Sequence, residues 1–103
     1  MYPAPKPARS GEVEALRRLI HIAKSDTGQA RRVTDFLLAW WDAESCGGFD
    51  LTTLWGVDRA IAHDMMTVFG LIARIREYPA HHDPSFDAEF RTIVQAWRPE
   101  LID

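Results

Sequence analysis

The sequence predicts an all-α fold, a compact bundle of four main helices and one short helix around a central apolar helix at about residues 58–78. Three observations carry that prediction. Apolar residues recur at three- and four-residue spacing in four separate stretches. No segment has the alternating, β-branched, turn-bounded pattern of a strand. Short breaks rich in Gly, Asp, Ser and Pro divide the helical stretches, as in a bundle with short connections.

The longest stretch is DRAIAHDMMTVFGLIARIREY, from Asp58 to Tyr78. At about 100° per residue, Ile61, Met65, Val68, Ile72 and Ile75 fall on one line. Ala62, Met66, Phe69, Leu71 and Ala73 widen that line to roughly 220° of the circumference. Arg59, His63, Thr67, Gly70, Arg74 and Glu77 are left for solvent. A helix this apolar has to be covered on most of its sides, and the stripes of the first, second and last helices are the ones available. Tyr78-Pro79 terminates it, because proline disfavours helical geometry in the residue before it. Asp64 stands at the margin of the apolar arc, where unpaired burial of a carboxylate is costly. The expected solution is water or an arginine of a neighbouring helix; the functional alternative is a polar contact within an interface.

The flanking elements follow from local signals. Residues 1–10, with Pro3, Pro5 and Pro7, read as a flexible extended arm, and residues 11–103 as one helical domain. Ser10 is placed to cap a first helix that reaches about Lys24 and buries Val13, Leu16, Leu19, Ile20 and Ala23. Asp26 and Thr27 are cap candidates for a second helix from Gly28 to Ser45. There Val33, Phe36, Leu37, Trp40 and Trp41 stand at i, i+3, i+4, i+7 and i+8. A glycine of Cys46-Gly47-Gly48 ends that helix in the left-handed conformation. Phe49 and Leu54 flank Asp50 at the spacing of a hydrophobic staple, which opens a short helix, Leu51 to Trp55. His81-His82-Asp83-Pro84 reads as a loop. Asp83 as N-cap and Pro84 at the first helical position then start a last helix with the stripe Phe86, Phe90, Ile93, Val94 and Trp97.

The chain has 103 residues, 47% of them hydrophobic, which suffices for one core without covalent staples. Its one cysteine, Cys46, cannot form an internal disulfide. With no secretory signal and no apolar run of membrane-spanning length, a cytoplasmic location is expected. The net charge of −3 conceals an asymmetry: residues 1–32 carry seven basic and three acidic groups, residues 33–103 five and twelve. Two readings compete. In one, the segments pack together and neutralise each other. In the other, Arg17, Arg18, Lys24, Arg31 and Arg32 form a basic face for an anion or a nucleic acid. The patch Thr27–Arg32 at a helix N-terminus suits an anion, while Asp35, four residues after Arg31, is positioned to neutralise it.

Catalytic signatures are absent: there is no P-loop, no dinucleotide fingerprint, no H-E-x-x-H and no nucleophile elbow. His81-His82-Asp83 is the nearest approach to a metal motif, and neighbouring residues on a loop rarely face one ion. No catalytic residue, cofactor or metal ligand is assigned. Cys46 is expected to be half-buried and structural, because a helix C-terminus disfavours a thiolate. The segment Leu51–Trp55 followed by the central helix superficially suggests helix-turn-helix. The supposed recognition helix is nearly all apolar, however, and cannot serve as core and groove reader along one face.

From Thr27 on, the run TGQARRVTDFLLAWWDAESCGGFDLTTLWGVDRAIAHDMMTVFGLIAR resembles a family of small uncharacterised helical bacterial proteins, classed as a domain of unknown function and found in proteobacterial genomes and mobile elements. The similarity covers roughly Glu12 to Ile102. Its most specific pieces are DFLLAWW (Asp35–Trp41), CGGFDL (Cys46–Leu51) and WRPEL (Trp97–Leu101). The resemblance implies a bacterial accessory protein and carries no activity, cofactor or catalytic residue. The expectation is therefore a non-enzymatic interaction or accessory protein whose partner is an unknown protein or a second copy of itself, with Met65-Met66 suited to an adaptable contact. The alternative is anion or nucleic-acid binding through the basic N-terminal face; nucleic acid is the less favoured partner. The first reading requires exposed apolar surface gathered in one patch.

Overall fold

A computed structural model describes residues 7–102. The expected arm lies, up to Lys6, outside the described residues. The chain is all-α, with α1 at Ser10–Ala23, α2 at Gly28–Cys46, a 3-10 turn at Leu51–Gly56, α3 at Arg59–Arg74, α4 at Pro79–His82, α5 at Phe86–Trp97 and a closing 3-10 turn at Pro99–Leu101. No described helix is long and apolar enough to cross a membrane.

The helix with neighbours on most sides is α1, which packs against α2, α3 and α5. Leu16, Leu19 and Ala23 on its inner face are fully buried. The long apolar helix α3 rests chiefly on α1. One flank of its wide apolar arc is left open, with Met66 67% and Phe69 60% exposed. This differs from the coverage expected from three helices. The apolar arc measures how much α3 is able to bury, whereas coverage depends on where its neighbours lie.

Several boundaries also differ, each for a tertiary reason. Helix α3 stops at Arg74 rather than Tyr78. Ile75 turns extended (φ −115°, ψ 110°) yet stays in the core. The Glu77 N–H donates to the Ile75 carbonyl at 2.9 Å, and the Glu77 carbonyl accepts the Trp40 indole N–H at 3.2 Å. The exit thus keeps an apolar side chain buried and satisfies an indole donor, contacts that periodicity does not register. Pro79 then opens α4 at its first position, so His81 and His82 stand on a helical turn rather than a loop. Asp83 accepts the Ser85 N–H at 2.9 Å and its hydroxyl at 2.8 Å, and this Asx-type turn holds Pro84 and Ser85 ahead of α5. Ser10 is the first residue of α1 and not its cap; Arg9 is, with its N–H accepted by Glu12 at 2.9 Å.

Other local signals act as the sequence implied. Thr27 caps α2 by accepting the Ala30 N–H at 3.0 Å, and Asp50 caps the 3-10 turn through Thr52 at 2.9 Å. Helix α2, expected to run unbroken to Ser45, instead breaks at Asp42 (φ −164°, ψ 80°) and resumes for one turn to Cys46; it ends, as expected, at a glycine, Gly47, whose φ is 100°. In the core, Phe90 lies against both tryptophans, with ring centroids 6.4 Å from Trp40 and 6.3 Å from Trp41. The end of α1 is tied down as well: the Ala23 carbonyl accepts the Trp97 indole N–H at 2.7 Å.

Candidate interaction surface

Charge is mostly neutralised within the molecule. Arg17 donates to Asp83 at 2.7 Å, Arg18 donates to both oxygens of Asp64 at 2.9 Å, and Lys24 donates to Glu89 at 2.5 Å. Each pair ties α1 to a later element, so the basic N-terminal segment and the acidic remainder are joined through α1. Asp64 is buried and takes the bidentate geometry that suits a guanidinium. A second bidentate pair runs the other way: Arg74 of α3 donates to both oxygens of Glu12 on α1 at 2.6 Å. Arg74 is thereby drawn out of the solvent sector it occupies on a helical wheel. The hydrogen bonds from Arg74, aided by the Arg9 N–H and opposed by burial, hold the Glu12 carboxyl down at about 2.

The remaining basic candidates lie elsewhere. Arg31 is exposed and has no ion pair among the described residues. Asp35, its expected partner, instead accepts from Arg98 at 2.7 Å. Arg32 donates to the Gly28 carbonyl at 3.3 Å, and its guanidinium lies so close to Gly56 that a Cβ there would come within 2.4 Å. The start of α2 is stitched to the start of α3 through Gln29, whose side-chain carbonyl accepts the Asp58 N–H at 2.6 Å. Of the five basic candidates, Arg17, Arg18 and Lys24 are thus engaged by carboxylates, whereas Arg31 and Arg32 have no ion pair among the described residues.

The histidine segment is likewise tied into the fold. His82 is half-buried with its ring 6.1 Å from that of Trp40, and burial, reinforced by nearby His81, pushes its pKa below 6.5. Asp83 is held below the ordinary carboxylate range, first by the Ser85 N–H and then by Arg17. Among the described residues no group of three His, Cys, Asp or Glu is arranged to hold a metal ion. Cys46 is buried, and burial pushes its thiol up, away from the reactive thiolate.

The feature left over is apolar. Two adjoining hollows, of about 250 and 260 Å³, share Phe36, Phe49, Leu51 and Phe69 as lining. Leu54, Met65 and Met66 extend the first, and Ala39, Trp40 and Ile72 the second. Together they form one trough with α2 as floor, the 3-10 turn as one wall and α3 as the other. Every lining residue is apolar. Leu51 is 66% exposed on its rim, and Trp55, on the same turn, 86%. The local cause is the 3-10 turn itself, which is too short to bury both its own apolar side chains and the open flank of α3.

Residues 13–98 match the family of unknown function DUF7673. The chain belongs to this family. No curated protein and no solved structure matches it. In this DUF7673 chain the three motifs that stand out in the sequence meet at one residue. Arg98 of WRPEL donates to Asp35 of DFLLAWW, and also to the carbonyl of Cys46 in CGGFDL at 3.1 Å. Its third donor reaches the Trp97 carbonyl at 3.1 Å. These contacts tie α2, at Asp35 and at its last residue Cys46, to the end of α5. The trough shares residues with two of these motifs: Phe36, Ala39 and Trp40 of DFLLAWW and Phe49 and Leu51 of CGGFDL line it. Its sequence signals are the surplus width of the α3 arc and the large apolar residues Leu51 and Trp55 in a segment too short to bury them.

Proposed function

We propose that this DUF7673 protein is a non-enzymatic interaction module, a bacterial cytoplasmic accessory protein that docks a protein partner in the trough between the 3-10 turn and α3. The observation that carries the reading is the contiguity of Leu51, Met66 and Phe69 around one wholly apolar hollow. The internal pairing of Arg17, Arg18 and Lys24 supports it, because it engages three of the five basic groups that an anion site there would use. Resemblance to bacterial and mobile-element proteins supports the accessory role. Affinity capture from the native cell tests the proposal with three baits: the wild type, Phe69→Lys, and Arg31→Ala/Arg32→Ala. The expected result is a specific protein lost with Phe69→Lys and retained by the double alanine variant. Retention by Phe69→Lys together with loss in the double variant would favour the anion reading instead.

A further inference from the structure

We infer that the trough receives an amphipathic helix of a partner protein, about three to four turns long, with carboxylates at the end that lies over Arg32 and Arg59. The inference rests on the docking reading and names the partner's chemistry. The lining decides the form of the occupant. Trp40 carries the one hydrogen-bond donor among the lining side chains, and the Glu77 carbonyl has already taken it at 3.2 Å. The floor and walls are helical turns, so their backbone offers no strand edge for pairing. An extended segment pressed against such a surface would bury N–H and C=O groups without partners. A helix satisfies its own backbone and shows the trough only side chains. Its length follows from α3, whose residues from Arg59 to Ile72 run about 20 Å beside the hollows. Met66 on the wall, unbranched and soft, adapts to the apolar side chains of such a helix.

Charge complementarity supplies the second part. Arg32 stands one turn before Phe36 on α2, and its guanidinium lies against Gly56, the last residue of the 3-10 turn. Arg59 opens α3 and shares a face with Ala62 and Met66, three and seven residues on. The side chain of Gln29 joins the two helix starts by accepting the Asp58 N–H at 2.6 Å. Both arginines therefore stand at one end of the trough. Neither pairs with a carboxylate among the described residues. Residues 28–32 and 56–59, which build that end, hold three arginines against one carboxylate, that of Asp58, which accepts from Gln29 at 3.2 Å. Asp50, just before Leu51 on the rim, is turned to the Thr52 N–H and hydroxyl. The opposite end has Arg76 beside Glu77 and no such excess. An arginine without a partner in the free protein gains one when a carboxylate is laid over it, and this sets the direction of the bound helix as well as its affinity.

Fluorescence anisotropy with labelled synthetic helices of about 18 residues tests this. Each carries leucines at three- and four-residue spacing, and the polar positions at one end are Glu in one peptide and Lys in another. A third peptide has the Glu sequence with two central prolines, which prevent the helix. The wild type should bind the Glu peptide about tenfold more tightly than the Lys peptide or the proline peptide, with the charge preference fading in about 0.5 M salt. Arg32→Glu/Arg59→Glu, with its helical circular-dichroism spectrum intact, should reverse the preference, and Phe69→Lys should weaken both helices at least about tenfold. Equal binding of the Glu and Lys peptides, or a preference unchanged by salt or by the double variant, overturns the acidic partner. Equal binding of the proline peptide, or no binding by any peptide, overturns the helical occupant. The docking reading fails separately. It stands if an environment-sensitive apolar dye binds the wild type and is lost in Phe69→Lys, and it falls if no dye binds or if Phe69→Lys changes nothing.

Discussion

Glu12 offers a prediction whose size follows from geometry. It sits in the first turn of α1, 7% exposed, with both oxygens on Arg74 at 2.6 Å and one on the Arg9 N–H at 2.9 Å. Its carboxyl is lowered from 4.5 to about 2, chiefly by the Arg74 hydrogen bonds. Between those pH values the unfolded chain binds a proton that the folded chain does not, so stability falls as pH falls through that window. A displacement of that size corresponds to roughly 3 kcal/mol at full strength. The Arg74 side chain is 29% exposed, and solvent screening reduces the expected contribution to about 1–2 kcal/mol. Urea denaturation of the wild type and Glu12→Gln from pH 7 to pH 2 measures it. The wild type should exceed the variant by about 1–2 kcal/mol above pH 5, and the gap should close toward pH 2. Acid losses from Asp50 and Asp83, also lowered in the folded chain, are shared by both proteins and cancel in the difference. A gap that stays constant across the whole range would refute the reasoning.

Three further perturbations follow. Phe90→Ala removes a fully buried ring that both tryptophans of α2 contact and should cost about 3–5 kcal/mol in urea denaturation, a large share of a small domain's stability. His82 is neutral when buried, so the unfolded state takes its proton first, and stability should decline as pH drops below 6.5. That part of the decline, followed by tryptophan fluorescence during chemical unfolding, should disappear in His82→Gln. Gly47→Ala and Gly70→Ala should move thermal stability in opposite directions. The first forces a φ of 100° on alanine and should cost about 1 kcal/mol or more. The second adds a Cβ with nothing within 4 Å on a helix and should gain a similar amount.

The helices were legible in the sequence because their signals are local. The i, i+3, i+4 stripe from Val33 to Trp41, the Thr27 cap and the Asp50 cap each depend on a few neighbouring residues. The end of α3 was not legible, since it is set by a core position for Ile75 and by a carbonyl that Trp40 requires from far along the chain. Charge totals along the chain gave the asymmetry but not the pairing: Asp35 was nearest in sequence to Arg31 and went to Arg98. Asp64 met an arginine of a neighbouring helix, and sequence position alone did not single out Arg18 as that arginine. The trough was the least legible feature. Phe69 and Leu51 read as ordinary apolar residues until the 3-10 turn and α3 are placed side by side with, among the described residues, no third element over them.

Oxidative footprinting of the two adjacent methionines tests the docking surface most directly. Met65 is 1% exposed and serves as the internal reference, while Met66 is 67% exposed on the trough wall. The docking account predicts that Met66 oxidises quickly in purified protein and several-fold more slowly once the protein is placed in native extract, with Met65 slow throughout. Met66 oxidising at the same fast rate in both states would contradict it.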